Sequence, residues 1–209
     1  ARPLAVLTAA FLLLITATPA LGDEGTIRIE SSSITSEFPE GFRLKVKASG
    51  DNDIKSVAVR LKIGQQTSGV YNYLKAPDGG DLEPGKAVTG ELFWRTNTAA
   101  RYIPPGTIFT YSFEVEDSEG TLFETEKEEF VYYDARFEWK EVSEGPVSVA
   151  YHGPVQSRAR IVLDSIIETL GKIGPILGAE TEGPIRVTMY NNVKEMLEAL
   201  PSGSSTIRR

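Results

Sequence analysis

YIPPGTIFTYSFEVEDSEG, residues 102–120, is the stretch whose reading decides the fold. Phe109, Tyr111, Phe113 and Val115 alternate with Thr110, Ser112, Glu114 and Glu116. A period of two places one set against a core and the other toward water, as in a strand of an antiparallel sheet. Pro104-Pro105-Gly106 before it and Asp117-Ser118-Glu119-Gly120 after it are turn chemistry, with proline fixing φ and glycine supplying positive φ.

Similar segments lie upstream. Residues 26–30 read as a first short strand. Phe42, Leu44, Val46 and Ala48 alternate with Arg43, Lys45 and Lys47, and Val57, Val59, Leu61 and Ile63 alternate with polar neighbours. Gly50-Asp51-Asn52-Asp53 between them reads as a turn. Gly64-Gln65-Gln66 is a hairpin-length connection into 69–75, and 76–85 is a Pro, Gly and Asp-rich loop. Val88, Leu92 and Trp94 share a face, and 121–133 reads as one further strand. About seven short strands at roughly ten-residue spacing suggest a β-sandwich of immunoglobulin or fibronectin type III kind. There is no cysteine, so the fibronectin-like version is preferred; thiolate zinc sites and thiol nucleophiles are excluded as well. Trp94 and Tyr111 sit on apolar faces and are expected to fill the core rather than to stack on a sugar.

The pattern changes after Tyr132-Tyr133-Asp134. Residues 137–142 and 146–151 read as a hairpin, 155–177 as an amphipathic helix, 184–190 as a strand, and 191–200 as a short helix capped by Asn191. Val162, Leu163, Ile166, Ile167, Leu170 and Ile173 form the long helix's apolar stripe, and Gly178 is its stop. The strand at 184–190 wants neighbours that this chain is not expected to supply. The fold class expected is therefore mainly β, a sandwich followed by an incomplete α+β region. The division is 1–22, 23–134 and 135–209, the last a truncated domain.

Residues 1–22 have the layout of a secretory signal peptide: Arg2, an apolar run LAVLTAAFLLLITA at 4–17, then small residues ending Ala20-Leu21-Gly22. The run is short of the roughly 20 residues a spanning helix needs. The expectation is an exported protein, extracellular or at the cell surface, with the signal cleaved. Ala1 and the uncompleted end at 202–209 read as cuts in a longer protein. The formal net charge of −7 argues against nucleic acid and anionic membrane surfaces. A protein or peptide partner is expected instead, and membrane attachment only through the signal segment or a later anchor.

No stretch carries reaction chemistry. The acidic residues Glu124, Glu126, Glu128 and Glu129, and the pairs Asp51/Asp53 and Asp78/Asp81, lack the spacing of a calcium loop and read as solvated edges and turns. His152 is the single histidine, and one histidine does not make a zinc site. It reads as a structural or solvent-exposed turn residue. Ser202-Gly203-Ser204-Ser205 lacks a base and reads as a loop. No catalytic, cofactor-binding or metal residue is assigned.

The order of motifs resembles bacterial exported proteins with a peptidase-MA-like domain, relatives of the gluzincin zinc metallopeptidases. The resemblance rests on the signal segment, the 102–120 strand and the junction of Tyr132, Asp134, Arg136, Phe137 and Trp139. It extends through the hairpin, the long helix, the strand at 184–190 and Ala199-Leu200-Pro201. It implies that this chain is the N-terminal portion of such a protein, supplying an accessory sandwich. It also implies that zinc, held by H-E-x-x-H on a later helix, belongs to the full-length protein. H-E-x-x-H does not occur here. The alternative is a non-catalytic extracellular binding or structural module.

Overall fold

The computed structural model describes residues 27–98, 101–178 and 183–201. Residues 1–22, read above as a signal peptide, and the serine-rich 202–205 lie outside these. In chain order the elements are β1 (Arg28–Glu37), β2 (Gly41–Ile63), β3 (Val70–Tyr73), β4 (Gly85–Arg95), β5 (Asn97–Thr98), β6 (Arg101–Tyr102) and β7 (Thr107–Asp117). There follow β8 (Leu122–Glu124), β9 (Glu128–Tyr132), β10 (Trp139–Glu144), β11 (Val147–His152), α1 (Gln156–Leu177), β12 (Ile185–Met189) and α2 (Val193–Ala199). The protein is mainly β. β1, β2, β3, β4, β7, β8 and β9 form one curled antiparallel sheet.

β2 organises that sheet. Its first half lies between β1 and β4, with Leu44 opposite both Ile34 and Leu92. Its second half lies between β7 and β3, with Arg60 opposite both Ser112 and Tyr71. The Gly50–Asp53 segment expected as a turn is instead inside this continuous 23-residue strand. The reason is pairing: Asp53 O accepts from Ser118 N at 2.8 Å, and Asn52 Nδ2 donates to Asp117 Oδ2 at 3.1 Å. Lys55 is the extra residue of a bulge, because Ile54 and Ser56 face the consecutive residues Asp117 and Glu116. One inserted residue flips the inward set. Phe42, Leu44, Val46, Ala48 and Ile54 are buried, and after the bulge Val57, Val59 and Leu61 are.

The curl brings the two halves of β2 around one core. The Phe42 ring lies 4.8 Å from Phe109 of β7 and 5.4 Å from Phe130 of β9. It also stacks at 6.2 Å on Trp94, its partner on β4. The four apolar residues expected on one face of β7 are all buried, and Trp94 and Tyr111 are core residues as expected. Gly41 passes so close to β4 that a Cβ there would sit 2.1 Å from the Trp94 carbonyl oxygen. Two other boundaries differ. β1 runs on through Ser31–Glu37, where its serines lack the apolar alternation that marks a strand. The single strand expected at 121–133 is two, β8 and β9, separated at Thr125, whose N–H and hydroxyl both bond the Phe113 backbone at 2.9 Å.

The second region has its own core. β10, β11 and β12 form a three-stranded sheet, β12 running parallel to β11. The expectation that this chain supplies no neighbour for β12 is thereby corrected: β12 pairs along its length with β11, whose six residues are all buried. Ala159 and Leu163 of α1 pack on this sheet, with Val162, Ile166, Ile167 and Leu170 partly buried around them, whereas Ile173 is exposed. Gly178 ends α1 at φ 60°, its N–H bonding Gly174 O. The cap of α2 is Asn192 rather than Asn191: its side chain accepts from Glu195 N at 3.0 Å.

Phe42→Ala is expected to lower unfolding free energy by about 3–5 kcal/mol through the cavity left between the two halves. Gly41→Ala is expected to cost about 1–3 kcal/mol by overpacking. Urea denaturation checks both. Asp117 supplies a pH test. Burial pushes its carboxyl pKa up, but the N–H of Thr121, the Asn52 amide and the N–H of Glu119 outweigh this and hold it below the ordinary value of 3.8. A depressed carboxyl stabilises the fold above its unfolded pKa, and that stability drains away as pH falls through the folded pKa. Asp117→Asn should therefore lower the urea midpoint at about pH 7, with the difference from wild type shrinking at about pH 2.

Candidate functional site

Three places gather side chains that could act on or hold another molecule. The first is the junction between β9 and β10, where the chain leaves the large sheet. Asp134 is fully buried and is closed by four donors. Arg136 supplies its backbone N–H at 3.1 Å and its guanidinium at 2.9 and 2.6 Å; the Tyr190 hydroxyl supplies a bond at 3.1 Å. Bidentate pairing of this kind is the strongest geometry open to a carboxylate. It raises the Arg136 pKa further, and burial followed by Asp134 pushes the Tyr190 phenol up. Trp139 Nε1 donates to the Asp134 carbonyl at 2.8 Å, and Arg136 reaches Glu198 of α2. Every residue of the junction motif is thus in one network except Tyr132, which enters the main core and bonds Thr96 Oγ1 at 2.7 Å. Burial pushes the Tyr132 phenol to about 12.

His152 belongs to the same cluster. It is buried rather than on an exposed turn, a correction to one of the two readings open from sequence. Its ring stacks on Phe137 at 4.0 Å and meets Trp139 edge-on at 5.2 Å. Nε2 donates to Glu195 Oε2 at 3.0 Å, and Nδ1 accepts from Asn191 Nδ2 at 3.2 Å. The same Glu195 accepts from Asn191 N at 3.1 Å and Asn192 Nδ2 at 2.7 Å. Burial raises the Glu195 carboxyl, but the Asn191 N–H, the Asn192 amide and His152 hold it below its usual value. Both imidazole nitrogens are therefore committed, and among the described residues no three His, Cys, Asp or Glu side chains converge on a point. The described residues offer no set that fits a zinc ion, which the family resemblance places on a later H-E-x-x-H helix and not on these side chains.

The second place is a cleft of about 730 Å³ between the Pro104-Pro105-Gly106 turn, β12 and α2. A bond from Thr188 crosses it, while Arg186 is held from outside the cleft by Glu141 and its buried Nε has no partner among the described residues. Thr188 Oγ1 donates to Pro105 O at 3.0 Å, and Arg186 donates to Glu141 at 2.5 Å. Gly106 has φ +87°, and a Cβ on it would sit 2.6 Å from Thr188 Oγ1, so only glycine fits this approach.

The third place is the outer face of β3, β2, β7 and β8. Tyr71 and Tyr73 stand on one side of the short strand β3, at 39% and 58% exposure. Their rings meet edge-to-face at 5.3 Å. The Arg60 guanidinium lies over Tyr71, 4.9 Å from its centroid, and donates to Glu114 at 2.6 Å; Tyr71 donates its hydroxyl to the same carboxylate at 2.5 Å. The bonds from Tyr71 and then Arg60 lower the Glu114 pKa. Beside Arg60 and Ser112 is a hollow of about 280 Å³ that Lys62, Thr110 and Lys127 also line. Sequence reasoning missed this pair. The i, i+2 spacing says that the two rings share a face, but the pattern does not say that nothing covers that face.

No protein-family model matches the sequence, and no curated protein matches it. Among solved structures, one titled "Crystal structure of Br derivative BhCBM56" is similar over 48% of this chain and 88% of that chain, at 13% identity and a TM-score of 0.30. A likeness at that level bears on neither the sheet's type nor its ligands.

Removing the Asp134 charge leaves the Arg136 fork without its acceptor. Asp134→Asn is expected to cost on the order of 2–3 kcal/mol. It should also shift Trp139 fluorescence, because the indole is held by the same residue's backbone. The effect should be read in a Trp94→Phe background, which leaves Trp139 as the sole tryptophan.

Proposed function

We propose that this chain is a non-catalytic binding module of an exported protein, built on a β-sandwich of immunoglobulin or fibronectin type III kind. The observation that carries the reading is the Tyr71–Tyr73 face. Two aromatic rings are left in solvent, yet one of them is pinned by an ion pair and the other by its neighbour. A rigid exposed aromatic surface is what a binding site needs, because little side-chain freedom remains to be lost on association. The groups with reactive potential, His152, Glu195, Asp134 and Tyr190, are consumed in bonds that hold the junction together. Support for the sandwich reading is the ring contact of Phe42 with Phe109 across the two halves of the curled sheet. The extracellular or surface location rests on the 1–22 segment.

A second reading follows the family resemblance: the accessory N-terminal portion of a zinc metallopeptidase-like protein. The convergence of Asp134, Arg136, Phe137 and Trp139 on one network favours it, since these residues carry the resemblance. Its test is the coding sequence beyond Arg209, which should contain H-E-x-x-H. A longer product bearing that motif should show chelator-sensitive peptide hydrolysis.

The binding reading is tested by probing immobilised glycan and peptide arrays with wild type and with a Tyr71→Ala/Tyr73→Ala double variant. Retention of wild type on defined spots, lost in the variant at an unchanged urea midpoint, is the expected outcome. Zinc-dependent peptide hydrolysis by this chain, or no retention on either array, would overturn it.

A further inference from the structure

We infer that the Tyr71–Tyr73 face binds a neutral saccharide chain, with Tyr73 as the ring on which a pyranose stacks. The inference deepens the binding-module reading above and rests on it.

Pairing places the parts. Tyr73 lies opposite Ala58, which lies opposite Glu114, which lies opposite Glu124. Tyr71, Arg60 and Ser112 form the adjacent row on the same face. Ala58 is buried between the aromatic and acidic sides. The face thus has an aromatic edge on β3 and a hydrogen-bonding edge on β7. A pyranose has matching parts: C–H groups over its faces and hydroxyls around its rim. Its C–H face can lie on the Tyr73 ring while rim hydroxyls reach the row beyond. Each hydroxyl both donates and accepts, so it suits a surface offering both. Arg60 has five N–H groups, of which one bonds Glu114, and the Glu114 carboxylate has lone pairs beyond the two already used.

Charge around the rings favours a neutral ligand there. Lys62 and Lys127 are confined to the hollow beyond. Arg60 is paired with Glu114, and Lys55 with Glu116 at 2.7 Å, so a charged ligand would have to compete with a bond already made. A polyol adds bonds without breaking these. The extent of the face selects against a protein. A stable protein interface takes about 800 Å² per partner around an apolar centre, and here the ion pairs of Glu114 and Glu116 separate the two rings from the exposed Leu122 of β8. The hollow beside Arg60 and Ser112 gives a following sugar unit a polar seat, and its volume is near the low end of small-ligand sites, roughly 300–1,000 Å³. Among the described residues β3 pairs with β2 alone and is an open edge along which a linear chain can run.

The experiment is depletion onto insoluble cellulose, xylan, mannan and starch, and affinity electrophoresis in their soluble forms, with pectate as the anionic control. Wild type should bind at least one neutral polysaccharide. Tyr73→Ala should weaken that binding at least tenfold, Tyr73→Phe should retain it, and added salt should leave it unchanged. Binding to pectate alone, equal binding by Tyr73→Ala, or binding to none of the neutral polymers would each overturn the inference. In the last case, array peptides retained through Tyr71 and Tyr73 leave the binding-module reading standing, whereas retention on neither array removes both.

Discussion

The structure depends on one strand serving two sets of neighbours. β2 keeps its hydrogen bonds occupied on both sides along most of its length. It changes neighbours through two irregularities: its pairing with β4 skips from Ser49 to Ile54, and the Lys55 bulge resets its register against β7. Without the extra residue, Val57, Val59 and Leu61 would point to water and their polar neighbours inward. With it, both halves bury their apolar sets in one core, and Phe42 closes that core by reaching Phe109 and Phe130. Asp117 secures the bend. It faces Ile54 in the pairing, accepts from Asn52, and caps the turn that returns β7 to β8.

The same economy governs the junction to the second region. Tyr132 is spent in the first core, and Tyr133 next to it is spent on the other side, stacked on Trp139 at 5.4 Å and bonded by Arg186. Tyr132 ends β9 and Tyr133 follows it, so adjacent tyrosines meet the main core on one side and Trp139 and Arg186 of the second region on the other. Asp134 then turns the chain, its charge paired with Arg136 and a further bond donated by the Tyr190 hydroxyl where water is excluded. His152 and Glu195 do the corresponding work between β11 and α2. A histidine and a glutamate in contact invite a catalytic reading. Here the shared hydrogen bonds with Asn191 and Asn192, and the stack on Phe137, make them parts of a helix cap.

The face on β3 obeys different physics. Its ion pairs and rings stabilise the sheet by cross-strand contact, which asks only that they touch. Their exposure goes beyond that requirement. Tyr73 meets Tyr71 edge-on and keeps 58% of its surface in water.

Much of this was legible from residues. Alternation in 102–120 identified β7 and its buried face, the 3/4 spacing from Val162 to Leu170 identified α1, and the glycine at 178 marked its end. These signals are local, because period and backbone preference belong to neighbouring residues. Gly50–Asp53 was misread because its composition is that of a turn; only pairing on both flanks holds it extended. β1 was under-read because Ser31–Ser33 shows no pattern until β2 lies beside it. The roles of His152 and Glu195, 43 residues apart, and the exposure of Tyr71 and Tyr73 were decided by the tertiary structure alone. The sequence by itself determined which residues are apolar, which turn and which repeat. Which polar groups meet, and which rings stay uncovered, depends on contacts between residues distant in the chain, and no local period records them.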